Sequence, residues 1–513
     1  KAADQGHAEA QFHLGRCSED GNGVARDVKA AAMWYRKAAD QGHADSQHNL
    51  AVCLERGAGV PKDLEAAAGW YRKAADQGHL DAQCDLACSY ILGQGVGLDH
   101  KVALHWYRKA AEQGHALSQL ALFRCHVAGR GVRRDMEEGV AWLCKAADQG
   151  HDEAQADMGL LCMRGDGVAR DLEAGAAWFR KAADQGVARG QFNLGLAYAV
   201  GQGVAQSLET AVKCFRQAAD QDLAEAKREL GQCYRKGQGV ARDPAQAVAW
   251  FRAAAEGGDA AALHELAVCY LEGDGVAQDP SDAVRLLRKA IDQGHTASAN
   301  TLGTCYALGP PGVARDMARA AECFRVGAES GDKQAHFNLA HCYSEGEGVA
   351  QDLEAAAKWY RAAADRGLAQ AQFEMARSLA ADNDPRHLTV AALWLRKAAD
   401  QGDADAQHAL AACHMEGRGV RRDMREAVAW LRKAADQGHA KAQLALGMRY
   451  ARGEGVEQSH ETAVMWWRKA GEQGTWRAWL AVADLLHDAA AHGPASSDDR
   501  VLRGARAQAF LRA

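Results

Sequence analysis

A glycine-rich loop recurs along the chain and is the first candidate for chemistry. The segment GNGVARD occupies 21–27, and related segments begin at 57, 93, 129 and 165, each 36 residues after the last. Glycine lets backbone N–H groups crowd around an anion, so such a loop could hold a phosphate. Phosphate loops follow a strand, however, whereas the apolar spacing before this loop is helical, and no GxxxxGK segment followed by Ser or Thr occurs. The loop is therefore predicted to be a hinge between helices.

One pair of residues has the spacing of a catalytic nucleophile. Ser330 and Lys333 match the SxxK pattern, in which a lysine assists a serine. The KTG and SDN segments that accompany such a serine are absent from the sequence, and the pair falls in a predicted turn. We interpret it as a chance match and predict no catalytic residue, so the chain is not expected to be an enzyme.

Metal ligands are numerous but badly spaced. Cys84 and Cys88 lie one helical turn apart, without a second ligand pair at zinc spacing. A histidine follows the turn in many repeats, at His7, His43, His79, His115, His151, His295 and His439. One histidine per repeat is too widely spaced to share an ion. The sequence predicts no metal site and no cofactor.

Composition is that of a folded globular protein. The 513 residues are 48% hydrophobic and 25% charged. A net charge of -6 gives no electrostatic reason to bind nucleic acid or anionic lipid. No apolar run approaches the roughly 18 to 20 residues of a membrane span, and no signal sequence opens the chain. We expect a soluble, cytoplasmic protein with no membrane span and no nucleic-acid partner.

The repeat becomes explicit when the chain is aligned on the glycine that closes KAADQG. Thirteen repeats then fit between Gly6 and Gly474, nearly all of 36 residues. The chain itself opens with KAADQG and lacks an initiating methionine, which predicts that it is part of a longer protein.

Each repeat is predicted to contain two helices of about 13 residues, because its apolar residues are spaced at three, four and seven. In the repeat after Gly186, Gly201 should end the first helix in a left-handed conformation, Gly203 should let the chain turn back, and Val204 should fill the gap between the helices. An aspartate should then cap the second helix, as at Asp27, Asp63, Asp135, Asp171, Asp243 and Asp352. The fold class is all-α.

This pattern resembles the Sel-1-like repeat, a relative of the tetratricopeptide repeat. The shared features are Leu-Gly or Leu-Ala, an aromatic residue, GxGV, Asp, Ala, a second aromatic residue and KAA, recurring every 36 residues. The resemblance implies an α/α solenoid, a right-handed superhelix of about 13 two-helix repeats whose first helices line a concave groove. It also implies an adaptor role, since family members hold other proteins together in quality control and signalling.

The two ends of the chain and two irregular repeats depart from the regular 36-residue repeat. We assign residues 1–487 to the solenoid and 488–513 to a linker with a short basic helix. Residues 475–487 form one more apolar first helix, predicted to pack on the thirteenth repeat as a cap. The loop at 309–313 has an extra proline, and 381–388 lacks the glycine loop, so local bends are expected there.

Tryptophan and cysteine recur at fixed repeat positions. The second-helix tryptophans are predicted to be core residues, and the neighbouring Arg-Lys pairs to include a residue facing outwards. Eight of the 14 cysteines share one position: Cys17, Cys53, Cys125, Cys233, Cys269, Cys305, Cys342 and Cys413. Successive repeats should separate them by about 10 Å, beyond disulfide reach. Cysteine-stapled relatives carry cysteine where this chain has Ala39 and Ala75, so we expect free thiols and a reducing compartment.

A stripe of residues on each first helix varies from repeat to repeat. We define the first-helix stripe as the positions 3, 7, 10 and 14 after the closing glycine, which share one helical face. The candidate groove residues on it are Arg16, Asn49, Arg124, Asn193, Asn338 and Arg377. An asparagine amide can bond both groups of a peptide backbone, and arginine can pair with a partner's carboxylates.

The function predicted from these features is a protein-interaction scaffold or adaptor. Its groove would bind a protein or peptide partner, or remain a neutral solvent-facing surface. The alternative is a substrate-targeting repeat region of a larger enzyme whose catalytic domain lies outside this chain. Nucleic-acid binding is disfavoured, because helical-repeat RNA readers have basic grooves whereas this stripe mixes both signs.

Overall fold

The computed structural model describes residues 1–381 and 384–492, with 486–492 as backbone only. The described residues form 27 α-helices and no strand, which confirms the all-α prediction. The first fourteen helices are α1 Ala8–Asp20, α2 Val28–Asp40, α3 Ala44–Arg56, α4 Leu64–Asp76, α5 Leu80–Leu92, α6 His100–Glu112, α7 Ala116–Ala128, α8 Met136–Asp148, α9 Asp152–Arg164, α10 Leu172–Asp184, α11 Ala188–Val200, α12 Leu208–Ala219, α13 Ala224–Lys236 and α14 Pro244–Glu256. The others are α15 Ala260–Glu272, α16 Pro280–Asp292, α17 Ser298–Leu308, α18 Met317–Glu329, α19 Lys333–Glu345, α20 Leu353–Asp365, α21 Ala369–Ala380, α22 Pro385–Asp400, α23 Ala404–Glu416, α24 Met424–Asp436, α25 Ala440–Arg452, α26 His460–Glu472 and α27 Trp476–His492.

The helices pair as an α/α solenoid. Odd-numbered helices up to α25 are the first helices of thirteen repeats. The first helices from α1 to α13 and from α17 to α25 each pack against the even-numbered helix that follows. Two compact units result: Lys1–Ala262 with Asp274–Val276, and Leu263–Gly273 with the described residues from Ala277 onward. Among the described helices, none has both the length and the apolar character that a bilayer span needs.

Most repeats have the predicted caps, although the C-cap of α21 is Ala381 rather than a glycine, and serine replaces aspartate at Ser207 and Ser459. Gly201 ends α11 at φ 79°, and its N–H donates to the Ala197 carbonyl at 2.8 Å. Asp27 starts α2 by accepting from the N–H groups of Lys29 and Ala30 at 2.9 and 3.0 Å. These contacts satisfy backbone groups that a helix end leaves unpaired.

The second glycine of the loop has a further role that the sequence did not reveal. Gly203 has φ +71°, as a tight turn requires, and a Cβ there would lie 1.9 Å from the carbonyl oxygen of Leu172, the first residue of α10. The loop of one repeat therefore rests directly on the second helix of the preceding repeat. Gly59, Gly95 and Gly239 make the same approach to the repeat before them.

The centre of the core lies one residue after the tryptophan. Tyr35, Leu143 and Phe251 are fully buried. A Cβ at Gly195 would lie 2.6 Å from the ring of Phe215, so the small residue of the Leu-Gly pair makes room for this side chain. The glycine or alanine in the repeat is thus explained by the ring packed against it.

The tryptophans are less buried than the sequence predicted. Three of the ten, Trp106, Trp430 and Trp466, are buried, while the other seven are partly exposed. In the described repeats, a lysine three residues later covers the ring in eight cases, as for Lys73 at 3.7 Å from the Trp70 centroid. These cation–π contacts shield the outer side of each ring.

The arginine of the Arg-Lys pair links neighbouring repeats. Arg180 donates to the hydroxyl of Tyr198 at 3.0 Å, and Arg432 donates to that of Tyr450. In each case the tyrosine lies on the first helix of the next repeat. The two residues of the pair therefore have different roles: the lysine covers a tryptophan ring of its own helix, and the arginine bonds a tyrosine of the next repeat.

The irregular segments change helix length. α17 begins late, at Ser298, and has 11 residues, whereas α22 begins at Pro385 and has 16. At the C-terminal end, Ala478 and Val482 of α27 are fully buried against Val464 and Trp467 of α26. The boundary at residue 487 remains a prediction. The linker and the short basic helix were predicted within 488–513. Residues 493–513 of that segment lie outside the described residues.

All 14 cysteines are free thiols in the structure. Burial raises the pKa of Cys233 to about 11. A hydrogen bond from Cys84 lowers the pKa of the partly exposed Cys88 to about 7. The thiolate is the reactive form, so these two cysteines should differ strongly in reactivity.

We therefore predict that iodoacetamide at pH 7.5 labels Cys88 at least about tenfold faster than Cys233 in the native protein. After denaturation both should label completely and at similar rates. Peptide mapping by mass spectrometry distinguishes the two sites. A melting temperature that falls on reduction, or equal native labelling, would contradict the assignment of Cys233 as a buried free thiol.

Candidate functional site

The structure places the six candidate residues on first helices. Arg16, Asn49, Arg124 and Asn193 belong to the first compact unit, on α1, α3, α7 and α11, and the other two belong to the second. The three asparagines are partly buried, and the three arginines are exposed. The candidates are thus spread over many repeats rather than gathered at one point.

Arg124 is already engaged within the chain. Its guanidinium lies 2.7 Å from Glu153 and 3.8 Å from Asp157, both on α9. Burial raises the pKa of Asp157, against the opposing influence of Arg124 and of Arg189 on α11. Charges of alternating sign therefore cross from α7 through α9 to α11. The Arg124–Glu153 pair is exposed on both sides and should contribute little stability.

The other two arginines differ from each other. The Arg377 guanidinium lies 2.6 Å from the carboxylate of Glu374, one turn earlier on α21, and the Arg377 side chain is 71% exposed. Arg16 lies 6.0 Å from the ring centroid of Phe12. Across the described residues, no carboxylate comes within ion-pair distance of Arg16. Arg16 is therefore the arginine of the three with the most freedom to bind a partner's acid.

Two of the asparagine side chains have hydrogen-bond partners within the chain. Asn338 donates to Asn300 at 2.9 Å and accepts from Gln334 at 3.3 Å. The Asn49 carbonyl oxygen lies 3.3 Å from Nδ1 of His48. Burial opposes protonation of His48, but its hydrogen bond to Asp85 prevails and raises the pKa of the imidazole.

Asn193 is the asparagine without such contacts. Its side chain is partly buried on α11 and has no hydrogen-bond partner among the described residues. Leu196 and Val200 follow it on the same stripe, 36% and 65% exposed. This part of α11 therefore combines an unused amide with two accessible apolar side chains.

Four of the recurrent histidines, His43, His79, His151 and His439, cap first helices. Nδ1 of His79 accepts from the N–H of Ala82 at 3.1 Å, while its Nε2 lies 3.1 Å from Asp45 of the preceding repeat. Similar acid contacts occur at His43, His115 and His439. Burial lowers the pKa of His79, with a further contribution from nearby His48. The four histidines with such a contact therefore each join two successive repeats.

A ladder of buried glutamines is the feature that sequence reasoning missed. Gln119 on α7 donates to the Ala111 carbonyl at 3.1 Å and accepts from Gln149 at 2.7 Å. The same pair of contacts is made by Gln11, Gln47, Gln83, Gln155, Gln372, Gln407 and Gln443. The signal that could have revealed it is the glutamine five residues after the closing glycine, which recurs in nine of the thirteen repeats.

The ladder stops in the middle of the chain. The equivalent positions hold Lys227, Leu263, Ala299 and His336. The partner glutamine is also replaced in three of these four cases, by Gly257, Ser330 and Arg366. Loss of both partners together avoids leaving a buried amide unpaired, which is the costly arrangement.

The residues examined for catalysis have structural roles. The Ser330 hydroxyl donates to the Gly327 carbonyl at 2.7 Å and ends α18, and Lys333 begins α19. In the residues with described side chains, no group of three or more metal-ligating residues is assembled. The described side chains of the first-helix stripe can make hydrogen bonds, ion pairs and apolar contacts.

A solenoid of two-helix repeats with a varied first-helix stripe defines a class of repeat proteins. The Sel1 repeat family model matches the chain at 8–43, 44–79, 80–115, 116–151, 152–187, 188–223, 224–259, 260–295, 296–332, 333–368, 369–403, 404–439 and 440–475. The chain therefore belongs to the Sel1 repeat family. Proteins of this family are generally protein-interaction scaffolds.

Solved structures show related solenoids. The chain is 34% identical to c5321, a protective antigen of uropathogenic Escherichia coli strains with an SLR fold, over 79% of this chain and 86% of that one, at a TM-score of 0.58. A Sel1 repeat protein from Oxalobacter formigenes is 32% identical over 59% of this chain and 88% of its own, at a TM-score of 0.48. Comparison with curated proteins found no match.

Proposed function

We propose that the chain is a scaffold whose first-helix stripe binds a segment of a partner protein, with α11 as the centre of the site in the first compact unit. The observation that carries this proposal is the unpartnered, partly buried amide of Asn193 beside the exposed Leu196 and Val200. No side chain or backbone group among the described residues bonds this amide, and Leu196 and Val200 remain accessible, so all three are available to a partner.

The chemistry of this site suits an extended peptide. The Asn193 amide offers one acceptor and donors, so it can bond both the N–H and the carbonyl of a passing backbone. Leu196 and Val200 lie one and two turns further along the helix, where they can contact the apolar side chains of the same segment. Interfaces typically combine such an apolar centre with a polar rim.

Neighbouring charges provide that rim. Glu153 and Asp157 on α9 alternate with Arg124 and Arg189 on the adjacent first helices. A rim of mixed sign favours a partner with charges of both signs and disfavours a uniformly acidic chain such as nucleic acid. Rim charges of this kind act mainly on orientation and association rate.

The proposal predicts that Asn193→Ala with Asn338→Ala weakens peptide binding about tenfold, most of it through Asn193 because Asn338 is bonded within the chain. Peptides would first be selected on the wild-type protein from a displayed random library, and their dissociation constants then measured for each variant. Circular dichroism and melting should change little, because surface truncation usually costs under about 0.5 kcal/mol.

The matched control is Lys73→Ala with Lys433→Ala. Both lysines lie 3.7 Å from a tryptophan centroid on second helices, away from the first-helix stripe. The control should keep wild-type affinity for the selected peptides. If it abolishes binding while the asparagine variant retains it, the binding surface lies on the second helices and the proposed site is wrong.

A further inference from the structure

The eleventh repeat lacks the valine that fills the space between helices elsewhere. In other repeats the GxGV valine packs on the core, as Val60, Val168, Val240 and Val456 do. In the eleventh repeat, the GxGV segment is missing from 381–388. A cavity of about 480 Å³ lies in this region, lined by residues of α21, α22 and α23. Its volume is in the range of small-molecule pockets, roughly 300 to 1,000 Å³.

The walls of this cavity are mainly apolar. Phe373 lies on the α21 side, and Leu388 and Leu395 on the α22 side. The α23 side carries Ala409 and Ala412, two small residues on the first-helix stripe. Large side chains at these two positions would occupy the space, so their small size keeps the cavity accessible from the stripe.

The charged lining residues favour an acid as the ligand. Arg377 and Arg418 both line the cavity, as does Glu416. The Glu374 side chain is only 21% exposed and is held by Arg377, whereas the Arg377 side chain remains 71% exposed. A guanidinium has five N–H donors in a fork suited to carboxylate, so Arg377 can bind a second acid. Glu416 lies 3.6 Å from Arg418, which offsets its charge.

We propose that this cavity binds a small carboxylic acid with an apolar body, which lies among Phe373, Leu388 and Leu395 while its carboxylate pairs with Arg377. The site lies in the second compact unit and does not depend on peptide binding at α11. It gives Arg377 a ligand-binding role distinct from that of the other candidate arginines.

The test uses 4-phenylbutyrate as the probe on the whole chain, with titration calorimetry as the readout. Its neutral analogue 4-phenylbutanol should bind about tenfold more weakly, the effect of losing one charge-assisted hydrogen bond. Arg377→Gln should weaken phenylbutyrate binding by a similar factor and leave phenylbutanol binding unchanged. Arg124→Gln is the matched control, since Arg124 has the same repeat position beside an intact GRGV loop, and it should change neither.

A second variant tests the location. Ala412→Leu should abolish binding of both probes by filling the cavity, and alkylation of the lining residue Cys413 should be slowed by phenylbutyrate in the wild type only. Arg377→Gln alters an exposed side chain, so it remains informative if Ala412→Leu fails to fold. The proposal is overturned if phenylbutyrate does not bind, if the alcohol binds equally well, or if 4-phenylbutylamine binds more tightly than the acid.

Discussion

Gly203→Ala is expected to lower the free energy of unfolding by about 3 kcal/mol or more. The left-handed φ of +71° alone makes alanine unfavourable. The new Cβ would also lie 1.9 Å from the Leu172 carbonyl oxygen, a backbone atom that cannot rotate away. The loop must therefore separate from α10, which weakens the contact between two successive repeats. Denaturant unfolding followed by circular dichroism measures the loss, and hydrogen exchange should show reduced protection at the start of α10.

Gly186→Ala separates the two causes, at the glycine that closes the preceding repeat. Gly186 has φ +85°, yet a Cβ there would meet nothing within 4 Å. Its substitution should cost only the backbone strain, about 1 to 2 kcal/mol. Equal losses for the two variants would show that the approach to Leu172 is unimportant and that the second glycine serves the turn alone.

Gln119→Leu is expected to lower the free energy of unfolding by about 1 to 3 kcal/mol, although leucine is similar in size and more apolar. The change removes one of the two donors to the Ala111 carbonyl, which keeps the Gly114 N–H, and it leaves the Gln149 amide without its partner. Gln119 is 3% exposed, so water has little access to replace the lost bond to Ala111. Denaturant unfolding is again the measurement, and loss of exchange protection should centre on α6 to α8.

The double variant Gln119→Leu with Gln149→Leu tests the ladder itself. If the two side chains act as one network, the double variant should be more stable than the sum of the single losses predicts, by about 1 kcal/mol. The chain itself has lost both glutamines of one pair together, since Lys227 and Gly257 stand at the two positions. That joint loss is what a coupled pair predicts. Strictly additive losses would indicate that each glutamine acts only through its own backbone contact.

Much of the local structure could be predicted because it depends on neighbours in sequence. Gly201 adopts a left-handed conformation that glycine tolerates, and Asp27 bonds N–H groups two and three residues ahead. The apolar spacing of each helix is likewise a local pattern. The thirteen repeats and the all-α fold follow from these signals, since each is set within a few residues.

Side-chain environments were harder to predict. The Trp70 ring was expected in the core but is partly exposed, since Tyr71 takes the central position and Lys73 covers the outer side of the tryptophan. Among the candidate residues, position on the stripe was predictable, but the contacts of Arg124 and Asn338 were not. Both contacts depend on which side chain of the neighbouring first helix lies opposite the residue.

The sequence by itself determined the period, the helices, their caps and the stripe on which the candidate residues lie, because these are properties of a single repeat. Only the tertiary structure decided how repeats join. The glutamine ladder spans about 30 residues per bond, the Gly203 approach to Leu172 spans two repeats, and the cavity near Arg377 exists because three helices surround an unfilled space. Such contacts depend on distances between segments far apart in the chain, which no local pattern of residue types can set.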